Sequence, residues 1–226
     1  MMAPRIATTS ERWSRYARCL GIGGSIGIFA IGILYAAVIT LWLIIEAAPG
    51  EPIGDPYLAV MECLTMASAV AFLGLVIAVW CFADAPRRLP ALVALVTGTL
   101  AVGLTTVVHF VQLTAIRQLW RAGQLSDYRL VWPSPIFAAE YFAWDILVGV
   151  STVAAGFALA GGPAAVRARR SLLVGGMLCL VGATGPLSGR MFMQNVAVFG
   201  YAVVLPIAGA VTARLFRTAL PHSAAA

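Results

Sequence analysis

The chain contains no lysine: its fifteen basic residues are all arginine, set against nine acidic ones. Charged residues make up only 11% of the 226 positions, where a soluble domain carries about 25%. That scarcity excludes an ordinary water-soluble fold. The net charge of +6 would suggest nucleic acid in a soluble protein. Here the arginines cluster at the ends of apolar runs, the bias of cytoplasmic membrane loops, so no nucleic-acid partner is expected. Clustered histidines for a di-iron site and a DxxxD-type aspartate-rich motif are both missing, as are G-x-S-x-G and a P-loop. No metal or cofactor is therefore expected. The four cysteines (Cys19, Cys63, Cys81, Cys179) show no CxxC spacing and read as small buried apolar residues.

What the chain does have is hydrophobicity: 61% of residues are apolar, and mean hydropathy is +0.92. Apolar runs of eighteen or more recur along its length, which defines a multi-pass protein of the cell membrane with the bilayer as its surroundings. The spacing predicts an all-α bundle of six spans, near residues 20–46, 58–82, 91–115, 137–160, 171–187 and 192–214. Residues 1–18 form an N-terminal cytoplasmic segment, 19–217 the transmembrane domain, and 218–226 a disordered cytoplasmic tail. The first apolar run follows four arginines without a clear small-residue cleavage site, so it reads as a retained helix. Gly185-Pro186 should kink or end the fifth span, because proline lacks the amide donor. The string GIGGSIG at 21–27 has no preceding strand, so its glycines, including Gly23 and Gly27, read as helix-packing surface.

Eleven arginines fall on one side of this arrangement (5, 12, 15, 18, 87, 88, 167, 169, 170, 214, 217) and four on the other (117, 121, 129, 190). The richer side is cytoplasmic, which places both termini inside. The loop 116–136 then lies outside. Its Trp120, Tyr128 and Trp132 suit an interfacial aromatic belt, around a short amphipathic helix on the membrane surface.

With that topology, polar residues gather in the outer half. Glu62 (LAVMECL), His109 and Gln112 (VVHFVQL), and Glu140 and Asp145 (AEYFAWD) lie there, with Glu46, Arg190, Gln194 and Asn195 at the outer boundary. A charge buried in lipid costs about 2.5–3.5 kcal/mol on insertion scales, so such groups face a partner or a wet cavity. Glu46 reads as a solvated helix end, and Glu140 lies where helix dipole and exposed amides favour a carboxylate. Asp145 is deeper and the stronger candidate. On a regular helix Glu140 and Asp145 stand about 140° apart, so they would not share a face; Tyr141 goes with Asp145 and Trp144 with Glu140. His109 is a packing residue or a partner of Glu62 or Asp145, and Arg190 is a surface residue or a neutraliser of one carboxylate.

Buried carboxylates beside aromatics (Tyr141, Phe142, Trp144, Phe110, Phe199, Tyr201) suit protonation of an apolar substrate and stabilisation of a carbocation. In size and layout the chain resembles the small integral-membrane terpene cyclases, which use buried acids without a metal. The resemblance implies cyclisation of an isoprenoid or lipid. Glu62 matches that family's early acid; its last-helix carboxylate has no counterpart here, and Asp145 takes that place. The segment AEYFAWD is also similar to ones in small multi-pass bacterial membrane proteins. The expected catalytic set is Glu62, His109 and Asp145, and the expected pocket Glu140, Tyr141, Trp144, Gln112, Arg190 and Asn195 around a hydrophobic small molecule. A different class of reading is a small-molecule or proton transporter, or a binding or sensor subunit, since membrane carboxylates beside a histidine also make proton relays.

Overall fold

The computed structural model describes residues 13–45, 53–124 and 132–219. Glu46, Tyr128 and residues 220–226 of the expected tail lie outside that set. No strand occurs among the described residues. Six helices are long and apolar enough to cross a membrane: α1 Arg15–Ile45, α2 Tyr57–Phe82, α3 Ala85–Arg121, α4 Pro135–Ala158, α5 Pro163–Ser188 and α6 Met191–Thr218. Each packs on the next, and α6 returns to α1, so the bundle is a closed ring in chain order.

Between helices in lipid there is no hydrophobic driving force, and close approach must come from small side chains. The interior is accordingly rich in alanine, including Ala78, Ala94, Ala155, Ala168 and Ala208. Gly24 shows why size matters: a Cβ there would stand 2.5 Å from the Ala71 carbonyl oxygen of α2. The packing glycines of α1 are Gly21, Gly24 and Gly32, with Gly27 also close against the Ala71 methyl at 3.0 Å; Gly23, expected on this surface, faces open space. Of the cysteines only Cys179 is buried; Cys19 and Cys63 face outward, against the sequence expectation. Ser151 adds an interhelical bond, donating to the Ala94 carbonyl at 2.7 Å.

Both ends of the described chain meet at one end of the ring. Trp13 packs against Phe82 and Phe216, with ring centroids 5.1 and 5.2 Å away. Arg18 donates to the Phe216 and Arg217 carbonyls, satisfying the acceptors a helix C-terminus leaves free.

Two boundaries differ from the sequence expectation. Residues 116–121 do not form a separate surface helix but continue α3, because Arg117 and Arg121, one turn apart, both hold Asp55 Oδ2 at 2.7 and 2.8 Å. The fifth helix starts at Pro163, well before 171, and its regular turns stop at Ala183 just ahead of Gly185-Pro186. Gly189, with φ +71°, then reverses the chain into α6.

Candidate functional site

The helix ends opposite Trp13 carry the buried ionisable groups Glu62, His109 and Asp145. Ser134 caps α4, accepting from the Phe137 amide, and Pro135 presets the first turn, so the motif PSPIF fixes where Glu140 and Asp145 stand. Glu62 lies little more than a turn into α2 and His109 about three turns before the end of α3. All three of Glu62, His109 and Asp145 are buried, the last at 1% exposure.

His109 is the hub of one group. Its Nδ1 meets Glu62 Oε2 in a short contact, and its Nε2 points toward Glu140 Oε1 at 3.4 Å. Gln112, one turn along α3, faces the same carboxylate. With its nitrogen toward Glu62 it donates to both oxygens, at 2.6 and 3.0 Å; the reverse orientation would oppose acceptors. Glu62 is thus held by an imidazole and an amide. Glu140 is the more open carboxylate, with 22% of its side chain exposed. Tyr35 of α1 is an electrostatic neighbour of both glutamates.

Asp145 belongs to a second group. It accepts from Gln194 Nε2 at 3.2 Å, and its Oδ2 has no protein partner. Of the two partners open to His109, Glu62 is the one it meets; Asp145 pairs with a neutral amide instead. Trp144 meets the ring of Tyr201 of α6 at a tilt, with centroids 5.4 Å apart, and Tyr201 lies in the field of Asp145 and Glu140.

What joins the groups is a wide turn. Residues Phe142–Val148 of α4 bond i to i+5, a π-turn, and so carry one residue more than α-helical turns would. Positions five apart therefore return toward one face, and Glu140 and Asp145 become electrostatic neighbours. The wide turn narrows the separation that a regular helix gives, but the two carboxylates still serve different partners, Glu140 facing His109 and Asp145 facing Gln194. Two further π-turns, Gln112–Ile116 and Gly200–Val204, carry Gln112 and Tyr201. Each wide turn thus presents a member of the cluster, and such turns occur frequently at functional sites.

Other expected members are placed elsewhere. Arg190 and Asn195 are exposed, and Arg190 forms no ion pair among the described residues, so it neutralises none of the carboxylates. Gln194, next to Asn195, is the residue of α6 that turns inward. Phe110, Phe142 and Phe199 face outward, leaving Trp144 and Tyr201 as the aromatic pair beside Asp145. Tyr141 is half-buried and contacts the rings of Trp132 and Phe137. Sequence reasoning missed Tyr35, which sits in a largely apolar helix with no polar residue three or four positions away to mark its face.

Both imidazole nitrogens face carboxylates, so these groups flank the histidine rather than converge on one point. Among the described residues no cluster of His, Cys, Asp and Glu is arranged to hold a metal ion. No family model matches the chain, and comparison with known proteins and with solved structures finds no match.

Proposed function

We propose that this chain is a multi-pass cell-membrane enzyme that uses a buried acid–base centre to protonate a lipid-soluble substrate of the isoprenoid class. The observation that carries the reading is the pairing pattern. Glu62 and Glu140 flank an imidazole, whereas Asp145 is held by a neutral amide beside two aromatic rings. The arginine split supports the orientation, with both termini cytoplasmic and the centre in the outer leaflet.

In this reading Asp145 is the general acid. Its O–H bond breaks as a C–H bond forms at an alkene carbon, and the positive charge develops against the faces of Trp144 and Tyr201. Ring closure moves the cation, and Glu140 takes a proton from the neighbouring carbon to leave a new alkene. Protons balance, because Glu140 is the electrostatic neighbour of Asp145 and can return the proton to it. His109 shares that proton with Glu140. Glu62, Gln112 and Gln194 are positioning residues, since they act through His109 and Asp145.

Asp145→Asn keeps the shape and the Gln194 contact but removes the transferable proton. The variant should fold in detergent with unchanged thermal stability, while turnover of an isoprenoid falls by about two to four orders of magnitude. Stable Asn and Gln variants of Asp145 and Glu140 with full turnover would end the catalytic reading. The linear order carboxylate–imidazole–carboxylate supports a second reading, a proton-binding or proton-transport unit. In that case proteoliposomes show His109-dependent proton flux without any substrate conversion.

A further inference from the structure

A second feature lies on the lipid-facing wall, away from the carboxylates. Leu89, Pro90 and Val93 of α3 face Val150, Val153 and Phe157 of α4 across a shallow apolar groove that Ala154 and Leu180 complete. From Phe157 to Val150 the groove runs along α4 for about 10 Å, seven residues at 1.5 Å each, the reach of a stretch of acyl chain. Behind it α4 and α5 are tightly packed: a Cβ on Gly156 would meet Leu173 at 2.9 Å, and one on Gly176 would meet the Gly149 carbonyl at 2.7 Å.

One end of the groove is charged. The Arg169 guanidinium carbon sits 5.6 Å from the centroid of the Phe157 ring, which is itself a groove wall. A guanidinium engaged with a ring through the cation–π contact still has N–H donors for a planar, two-pronged partner. Among the described residues Arg169 has no carboxylate partner, and Asp84, the acidic residue at this end of the bundle, is taken by Arg87. Arg88, beside Leu89, buries its Nε without a protein partner, and Arg167 and Arg170 flank Arg169 on α5. Apolar groove and unpaired cation are joined at a single ring.

We propose that this groove is a binding site for one anionic phospholipid of the leaflet on the arginine-rich side. Its acyl chain lies between α3 and α4, and its phosphate is held by Arg169. The site is independent of the acid–base centre.

Native mass spectrometry of the full chain released from mixed micelles tests this, with phosphatidylglycerol and phosphatidylcholine as equimolar probes. The wild type should retain one phosphatidylglycerol in preference to phosphatidylcholine. Arg169→Ala should weaken retention of the anionic lipid about fivefold, the usual effect of one arginine near a charged headgroup, and leave phosphatidylcholine unchanged. Val93→Trp, on the exposed lip, fills the groove without touching the α4–α5 contact and should reduce retention of both lipids. Arg214→Ala, at the same end but on α6, should change nothing. Equal retention of the two lipids by the wild type would overturn the proposal. So would loss of the preference in Arg214→Ala but not in Arg169→Ala, or undiminished binding to Val93→Trp. Melting curves of each variant separate lost binding from lost folding.

Discussion

His109 is the residue on which the polar cluster depends. Buried at 3% exposure, it stands between Glu62 and Glu140, and no other basic residue forms an ion pair with either among the described residues. Replacing it with Leu leaves two carboxylates facing each other in a poorly solvated site, and removing one partner of a buried pair costs about 3–5 kcal/mol. His109→Leu should therefore lose that much stability in detergent unfolding, and Glu62→Gln in the same chain should recover part of it. A His109→Leu protein as stable as the wild type would show that the contact carries no stabilisation. That Glu62, His109 and Asp145 would be buried was legible from the cost of exposing charge to hydrocarbon. Which carboxylate His109 would meet was not, because helix periodicity gives a face but not the rotation of one helix against another. Arg190 and Asn195 were misplaced for a related reason. The chain reverses at Gly189 and α6 opens on a tight turn, so the inward position falls to Gln194.

At the scale of single helices, the six spans follow from hydropathy, and their packing contacts follow from small residues. The wide turns do not. Nothing in AEYFAWD announces that its bonds run from i to i+5, yet that one added residue sets the register of Asp145 against Glu140. Inserting an alanine after Phe142, whose side chain is exposed, leaves the two carboxylates six positions apart and should swing Glu140 and the turns before it out of register with Asp145. The lengthened protein is expected to keep its helical circular dichroism and to lose activity as completely as Asp145→Asn. Retained turnover would mean that the Glu140–Asp145 juxtaposition is dispensable. The third helix carries a similar lesson. Its polar last turns looked like the start of a loop in sequence, but they stay helical because Arg117 and Arg121 share Asp55, a contact between residues more than sixty positions apart.

For the whole molecule, the closed ring puts both ends of the described chain together, so one orientation decides where the acid–base cluster faces. If the arginine-rich side is cytoplasmic, as the eleven-to-four division of arginines predicts, the cluster faces outward. Reporter fusions at 55, 125 and 189 should then be read outside, and those at 86 and 166 inside; the reverse pattern would put the cluster in the inner leaflet. Such a ring also gives the cluster its chemistry, because α2, α3, α4 and α6 each contribute a polar side chain at the same end. The central claim is that one carboxyl, Asp145, holds the transferable proton while Glu140 is the accepting base and Glu62 serves the imidazole. Infrared difference spectroscopy of the protein in detergent at neutral pH reads this without any substrate. A carbonyl band of a protonated carboxylic acid should be present in the wild type, disappear in Asp145→Asn and persist in Glu62→Gln. A band that survives Asp145→Asn but vanishes in Glu62→Gln, or no such band in the wild type, would contradict the account.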